Sequence, residues 1–267
     1  MLHAADILAM NPAIDPTLLS RVEDAGLNAS APPQQRWMDG WLLRLSPGKA
    51  KRARCINAVA MGRRRTLDKL AESAALFAAA QLPLIVRITP FTQPVELEAQ
   101  LRDRGLHRFD DTRVMVLPDL AAIEPPVMEP RYTLRSVALE PFAQHLGVLR
   151  GSPLSQRQAH AERLANSPVP FFAFELHDQS LVVACGQIAV ESDLVGLYDV
   201  FTAPEVRGRG LAGMLCRHLL AQAREHGARH AYLQVESDNR PARAVYFRLG
   251  FSDGYSYHYL TADPTLA

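Results

Sequence analysis

Apolar residues in the C-terminal half of the chain recur with two different periods. One run repeats every four residues and ends before a glycine: Leu211, Leu215, Leu219, Ala223. This spacing predicts an amphipathic helix that stops at Gly227. Short apolar stretches at residues 197–202 and 230–236 flank it and predict strands. The pattern therefore predicts a strand, a turn, a helix and a second strand.

The turn before this helix has the composition of an anion site. It reads Arg207-Gly208-Arg209-Gly210, without the Ser, Thr, Asp or Asn that usually caps a helix. Uncapped N–H groups beside cations attract an anion, and glycine allows a phosphate to approach the backbone. The alternative is an ordinary glycine turn with incidental arginines, since short glycine motifs are weak on their own.

Two motifs resemble those of the GNAT (GCN5-related N-acetyltransferase) superfamily. The first is Arg207-x-x-Gly210-x-Ala212, similar to that family's acyl-CoA pyrophosphate loop. The second is Asn239-x-x-Ala242-x-x-x-Tyr246-x-x-x-Gly250-Phe251. The resemblance covers the last half of the chain well and the first half only faintly. It implies an α/β fold of tandem GNAT type, with a mixed sheet flanked by helices in each half.

The resemblance also implies acetyl-CoA as co-substrate and transfer of its acetyl group to a primary amine by direct attack. The implied cofactor-binding residues are Val200, Phe201, Thr202, Arg207, Gly208, Arg209, Gly210, Leu211, Ala212, Gly213, Asn239 and Tyr246. The strand at Val200–Thr202 would pair with the pantetheine arm, and the two parallel strands would splay to admit it. The loop N–H groups would hold the pyrophosphate.

Tyr246 matches the family's position for a general acid near the thioester sulfur. A phenol with a pKa of about 10 is protonated at neutral pH and can donate a proton. The alternative is a tyrosine that only packs. Asp199 and Glu236 are the candidates for the general base, although such carboxylates are more often solvated. Asn239 can be explained equally well as the cap of the helix that follows it as by contact with CoA.

The first half shows the same order of elements about 145 residues earlier, which predicts an internal repeat. We predict a degenerate N-terminal copy in residues 1–125 and an acetyl-CoA-binding copy in residues 126–267. The first copy has Gly62-Arg63-Arg64-Arg65-Thr66 in place of the loop glycines. Thr66 is predicted to cap a helix with the apolar face Leu67, Leu70, Ala74 and Phe77. A further short helix is predicted from Leu2 to Met10.

Composition narrows the function classes. The formal net charge of the 267 residues is +1, which gives no general attraction to nucleic acid or membranes. Three well-separated cysteines fit a reducing cytoplasm and form no zinc spacing, so no metal is expected. A basic cluster at residues 49–65 is more typical of a solvated face than of a nucleic-acid site.

Several alternatives stay open at this point. The loop recognises CoA and not the acyl chain, so transfer of a longer acyl group is the nearest rival. A non-catalytic CoA-binding interaction module is a rival from another class. The expected acceptor is a small-molecule or peptide amine of unknown identity, and the chain is expected to be a monomer or a homodimer.

Overall fold

The computed structural model describes residues 10–48 and 50–266. The helix predicted from Leu2 to Met10 lies outside these residues except for Met10, which is in no helix. Lys49 of the basic cluster also lies outside them. Among the described residues, no helix combines the length and apolarity needed to cross a bilayer.

The described residues form both helices and strands. The helices are α1 (Pro16–Ala29), α2 (Thr66–Ala79), α3 (Leu97–Arg102), α4 (Leu139–Leu149), α5 (Leu154–Ala165), α6 (Leu211–Glu225) and α7 (Arg240–Arg248). The strands are β1 (Gln35–Met38), β2 (Trp41–Arg44), β3 (Ile56–Ala58), β4 (Ile85–Ile88), β5 (His107–Leu117), β6 (Tyr132–Val137), β7 (Phe171–Asp178), β8 (Leu181–Glu191), β9 (Leu194–Thr202), β10 (His230–Glu236) and β11 (Ser252–Thr261). The predicted α/β class with a mixed sheet is confirmed.

The chain forms two compact units that are not contiguous in sequence. Of the described residues, the first unit contains 10–20, 30–48, 50–113 and 254–266, and the second contains Arg21–Ala29 and Val114–Asp253. The predicted ranges 1–125 and 126–267 were contiguous. The C-terminal part of this difference arises because β11 pairs antiparallel with β4, Tyr259 opposite Arg87, so that β11 from Gly254 onward belongs to the first unit.

The first unit contains a β-α-β crossover. Strands β3 and β4 are parallel, with Ile56 opposite Val86, and α2 connects them. The hairpin β1–β2 extends the sheet antiparallel beyond β3. Trp41, Phe77 and Leu260 are among the buried residues of its core. The order predicted for the first half is therefore present.

Helix α2 buries a different face from the predicted one. Of the predicted apolar face only Phe77 is fully buried, whereas Leu67 is 36% exposed and Lys69 is 0% exposed. The Lys69 ammonium is accommodated because it donates to the carbonyl oxygens of Asp39 and Met61 at 3.1 and 3.0 Å. Thr66 is not the cap either: the N-cap is Arg65, whose side chain makes no capping hydrogen bond.

The second unit is an antiparallel meander that ends in a parallel crossover. Strands β6 to β9 pair antiparallel in sequence order, and α6 then leads to β10, which is parallel to β9. Helices α6 and α7 supply Leu215 and Tyr246 to the core on one face of this sheet. Helices α4 and α5 cover the opposite face with Phe142 and Leu164.

Candidate active site

Strand β9 carries a bulge in its middle. Tyr198 pairs with Gln187 and Phe201 pairs with Cys185, so Asp199 and Val200 together face the single residue Gly186. Asp199 has a φ of 52°, in the left-handed region. A bulge of this kind redirects side chains and is frequent beside active sites.

Strands β9 and β10 separate immediately beyond their paired segment. Their parallel pairing runs from Leu194 opposite His230 to Leu197 opposite Leu233. Both strands continue past this point, β9 to Thr202 and β10 to Glu236. The facing main-chain groups of the two ends are then available to an extended, amide-bearing ligand, as in β-strand addition. The end of this ladder is where the predicted splay would lie.

The glycine turn opens helix α6 with an uncapped N-terminus. Gly208 and Gly210 have φ values of 79° and 77°, and no side chain caps the helix at Gly210. The Met214 N–H donates to the Gly210 carbonyl at 3.1 Å. The N–H groups of Leu211, Ala212 and Gly213 precede this bond and have no partner within the helix, because they belong to its first turn. The loop therefore fits a pyrophosphate.

The two arginines of the loop differ in what their side chains contact. Arg207 donates from Nε to the Thr202 carbonyl at 3.2 Å, and its guanidinium lies 5.6 Å from the centre of the Phe201 ring. Arg207 therefore covers the end of β9. Arg209 is exposed next to the glycines.

Tyr246 projects from α7 into the core of the second unit. Only 9% of the residue is exposed, and its ring meets Phe251 edge-on at 6.1 Å. Burial, and secondarily the nearby Cys216 thiol, raises the pKa of Tyr246 above its ordinary value. The phenol is therefore protonated at neutral pH, as a general acid must be.

Asn239 acts as a helix cap. Its side-chain oxygen accepts the Ala242 N–H at 3.2 Å, and Pro241 follows in the first turn of α7. This is the capping role that the sequence allowed, and it engages the Asn239 oxygen. Glu236 is exposed at the end of β10, where its carbonyl accepts the Asn239 N–H at 3.1 Å.

The Asp199 carboxylate is held by residues that the sequence did not single out. Arg150 Nη1 lies 2.9 Å from Oδ1, and Gln187 Nε2 and His160 Nε2 lie 2.6 and 3.2 Å from Oδ2. Burial alone would raise the pKa of Asp199, but His160 and the charges of Arg150 and Arg163 outweigh it and lower that pKa below its usual range. No motif marks these partners, because they come from separate elements that meet only in the fold.

The corresponding turn of the first unit has its own internal anion. The Asp39 carboxylate accepts the N–H of Arg63 at 2.9 Å and that of Arg64 at 2.8 Å, just before α2. An added Cβ on Gly62 would lie 2.1 Å from the Asp39 carbonyl oxygen. The main chain at Gly62 is therefore in close contact with the main chain at Asp39. The basic cluster is partly neutralised as well, since Arg64 pairs with Glu72 at 2.8 Å.

The comparisons with known proteins agree with this geometry. A family model described as "Probable histone acetyltransferase Rv0428c C-terminal" matches residues 19–260. The chain belongs to this family. Among curated relatives, the uncharacterised N-acetyltransferase YobR of Bacillus subtilis is 25% identical over 231 residues, which cover 84% of this chain and 91% of YobR.

Solved structures show the same fold. A GCN5-related N-acetyltransferase from Kribbella flavida has a TM-score of 0.66 at 18% identity and covers 96% of this chain and 97% of its own. A tandem GNAT protein from the clavulanic acid biosynthesis pathway has a TM-score of 0.61 at 17% identity, over 76% of this chain and 72% of its own. Family and fold together make this chain an acetyltransferase of the GNAT type.

Proposed function

We propose that the protein transfers an acetyl group from acetyl-CoA to a primary amine by direct attack within a ternary complex. The observation that supports this most strongly is the end of the β9–β10 pairing beside an uncapped helix N-terminus. One feature suits an extended amide-bearing arm and the other suits a pyrophosphate. Acetyl-CoA carries both groups in one molecule.

In this proposal different residues of the second unit bind different parts of acetyl-CoA. The main chain of Val200, Phe201 and Thr202 pairs with the pantetheine amides, and the N–H groups of residues 208–213 hold the pyrophosphate. Arg207 and Arg209 add positive charge. Asn239, which caps the N-terminus of α7, is the remaining residue proposed to contact the cofactor. When bound, acetyl-CoA supplies the activated acyl group.

Proton transfer requires an acid and a base. Tyr246 donates a proton to the departing sulfur, since burial keeps its hydroxyl protonated. An amine attacks only after it has lost its ammonium proton, and the carboxylates of Asp199 and Glu236 are the candidate acceptors from the sequence. Small amines, antibiotics, amino acids and peptides all belong to the acceptor class that we propose.

The first test is calorimetric titration of acetyl-CoA into the intact protein and into Gly210→Glu. The substitution places a carboxylate where the pyrophosphate would bind. We expect one site per chain, lost in the variant. A panel of amines (spermidine, kanamycin, lysine and an unblocked tripeptide) is then followed by release of the CoA thiol and by the acetyl mass increment.

The outcomes separate the rival functions. Binding of acetyl-CoA without turnover on any amine would favour a CoA-binding interaction module. Faster turnover with butyryl-CoA than with acetyl-CoA would favour transfer of a longer acyl group. Absence of binding by folded protein would overturn the proposal.

A further inference from the structure

Two carboxylates on the face of the second unit's sheet that α4 and α5 cover each pair with a histidine from one of these helices, and one of them, Glu175, also contacts His177 of its own strand at 3.1 Å. In one pair, His160 of α5 places Nε2 3.2 Å from Asp199 of β9. In the other, His145 of α4 places Nδ1 2.6 Å from Glu175 of β7. A carboxylate that faces one ring nitrogen fixes the orientation and tautomer of the imidazole, which is how histidine bases are commonly supported.

The two pairs differ in their distance from the proposed acyl site. Asp199 lies in the bulge of β9, next to Val200 and just beyond the paired segment of β9 and β10. Glu175 lies two strands away, since it pairs with Cys185 and Cys185 pairs with Phe201. With a strand spacing of about 4.8 Å, Glu175 is roughly 10 Å from the β9 main chain. Only the first pair is next to the site.

Asp199 itself is poorly suited to accept a proton. Both of its oxygens accept a hydrogen bond, Oδ1 from Arg150 and Oδ2 from Gln187, and His160 Nε2 lies 3.2 Å from Oδ2 without hydrogen-bond geometry. Donors and cations stabilise the charged carboxylate and lower its basicity. The same contacts hold the carboxylate fixed, which suits a group that orients its neighbour.

His160 has the arrangement expected of the base. Its side chain is 19% exposed, and its buried Nε2 lies 3.2 Å from the Asp199 carboxylate, a charge contact that lacks hydrogen-bond geometry. This leaves Nδ1 as the nitrogen that can take a proton from a substrate. The charged groups around the pair are Arg150 at the end of α4, Asp199 on β9, and Arg163 on α5 itself.

We propose that His160 is the catalytic base of the reaction and that Asp199 is its positioning residue. This inference rests on the proposed function. The acceptor's ammonium proton passes to Nδ1 of His160, directly or through a water. The freed nitrogen lone pair forms the C–N bond at the thioester carbonyl carbon while the C–S bond breaks. Tyr246 protonates the departing thiolate. The nitrogen loses its second proton to solvent as the amide forms, and the Tyr246 phenolate takes a proton back from solvent. His160 then releases its proton to solvent, so that the reaction releases one proton in total.

The experiment compares His160→Asn with the matched control His145→Asn, which alters the pair remote from the site. Thermal unfolding first establishes that both variants are folded. Turnover is measured at saturating acetyl-CoA with whichever amine of the panel reacts fastest, and acetyl-CoA affinity is measured by calorimetry. We expect His160→Asn to lower kcat by about 100-fold or more without changing the acetyl-CoA Kd. His145→Asn should retain kcat near that of the wild type.

Two further readouts distinguish a base from a structural residue. Free imidazole should restore part of the activity of His160→Ala and none of that of Tyr246→Phe. The double variant Asp199→Asn/His160→Asn should be no slower than His160→Asn alone, because residues that act as a unit are not additive.

The outcomes identify which claim fails. If the wild type turns over and His160→Asn keeps its kcat, or His145→Asn loses as much, the assignment of His160 is overturned and the acetyltransferase proposal stands. If the wild type binds acetyl-CoA and acetylates no amine, the proposed function fails and this inference fails with it.

Discussion

Arg150 and Asp199 connect the end of helix α4 to the bulge of β9. The guanidinium Nη1 lies 2.9 Å from the carboxylate Oδ1, and Arg150 is the C-cap of α4. The same guanidinium lies 5.6 Å from the Phe201 ring centre. One side chain therefore contacts two residues of the strand that we propose to bind the pantetheine arm, and it attaches the α4 end to that strand.

Arg150→Ala should destabilise the protein modestly and impair catalysis more. The ion pair is partly exposed, 37% on the arginine side and 20% on the aspartate side, so we expect a loss of about 1 kcal/mol in the free energy of unfolding. Turnover should fall further, since Asp199 loses one of the contacts that hold it. Urea unfolding and kcat measurements check this, with Arg150→Lys as the charge-conserving control. Unchanged kcat in Arg150→Ala would contradict the role given to Asp199.

The glycines of the α6 loop should be required for their backbone conformation. Neither Gly208 nor Gly210 has an atom within 4 Å of an added Cβ, so alanine would meet no obstruction there. Their positive φ values would still cost about 1–2 kcal/mol each. Gly227, at the other end of α6, has a φ of 89° and equally open space, and it provides the matched control.

We therefore expect Gly210→Ala and Gly227→Ala to lose similar stability in thermal unfolding. Only Gly210→Ala should weaken acetyl-CoA binding, because only this substitution changes the first N–H groups of α6. Equal affinity for acetyl-CoA in the two variants would exclude the loop as the pyrophosphate site.

Local patterns were sufficient to predict most elements of the second unit. The four-residue period of α6 and its terminal Gly227 gave a helix whose observed bounds are Leu211–Glu225. The glycine turn was also readable, because an uncapped start is a feature of the sequence itself. These features depend on neighbouring residues in the chain.

Features that depend on distant residues could not be predicted. The bulge at Asp199 arises from a register shift against β8, and its partners Arg150 and His160 come from helices that no motif marks. Lys69 is absent from the apolar face predicted for α2, yet its ammonium is buried and donates to the carbonyl groups of Asp39 and Met61. Strand β11 pairs with β4, more than 160 residues earlier in the chain.

Tyr246→Phe should separate proton donation from packing. The phenyl ring preserves the contact with Phe251, so stability near neutral pH should change little. We expect kcat to fall by about 100-fold with an unchanged acetyl-CoA Kd. Unchanged kcat would leave Tyr246 as a packing residue, the alternative that the sequence allowed.

The same residue makes an alkaline stability prediction. Burial raises the folded-state pKa of Tyr246, so the unfolded chain loses its proton first as the pH rises above about 10. The stabilisation that comes from the neutral phenol is fully present below that pH and is lost above it. Urea midpoints at pH 9 and pH 11 should therefore differ more for the wild type than for Tyr246→Phe. An equal difference in both proteins would contradict the raised pKa.

Asp39 should carry a negative charge in the turn of the first unit at neutral pH. The N–H groups of Arg63 and Arg64, in that order, lower the pKa of its carboxyl below the ordinary value, and Lys69 adds to the effect. This contribution to stability is present above the unfolded-state pKa of about 3.9 and is lost as the pH falls through the lower folded-state value. We expect Asp39→Ala to destabilise the protein at pH 7, and the difference from the wild type to shrink in acid.

Asp39→Asn is the matched control, because its amide oxygen can still accept both N–H groups without the charge. It should lie between the wild type and Asp39→Ala in denaturant midpoint at pH 7. Calorimetry on the wild type should give one acetyl-CoA site per chain, since the Asp39 carboxylate already occupies the N–H groups of the first unit's turn. A second site in the wild type would show that this carboxylate leaves the turn to make room for a phosphate, and the N-terminal copy would then not be degenerate.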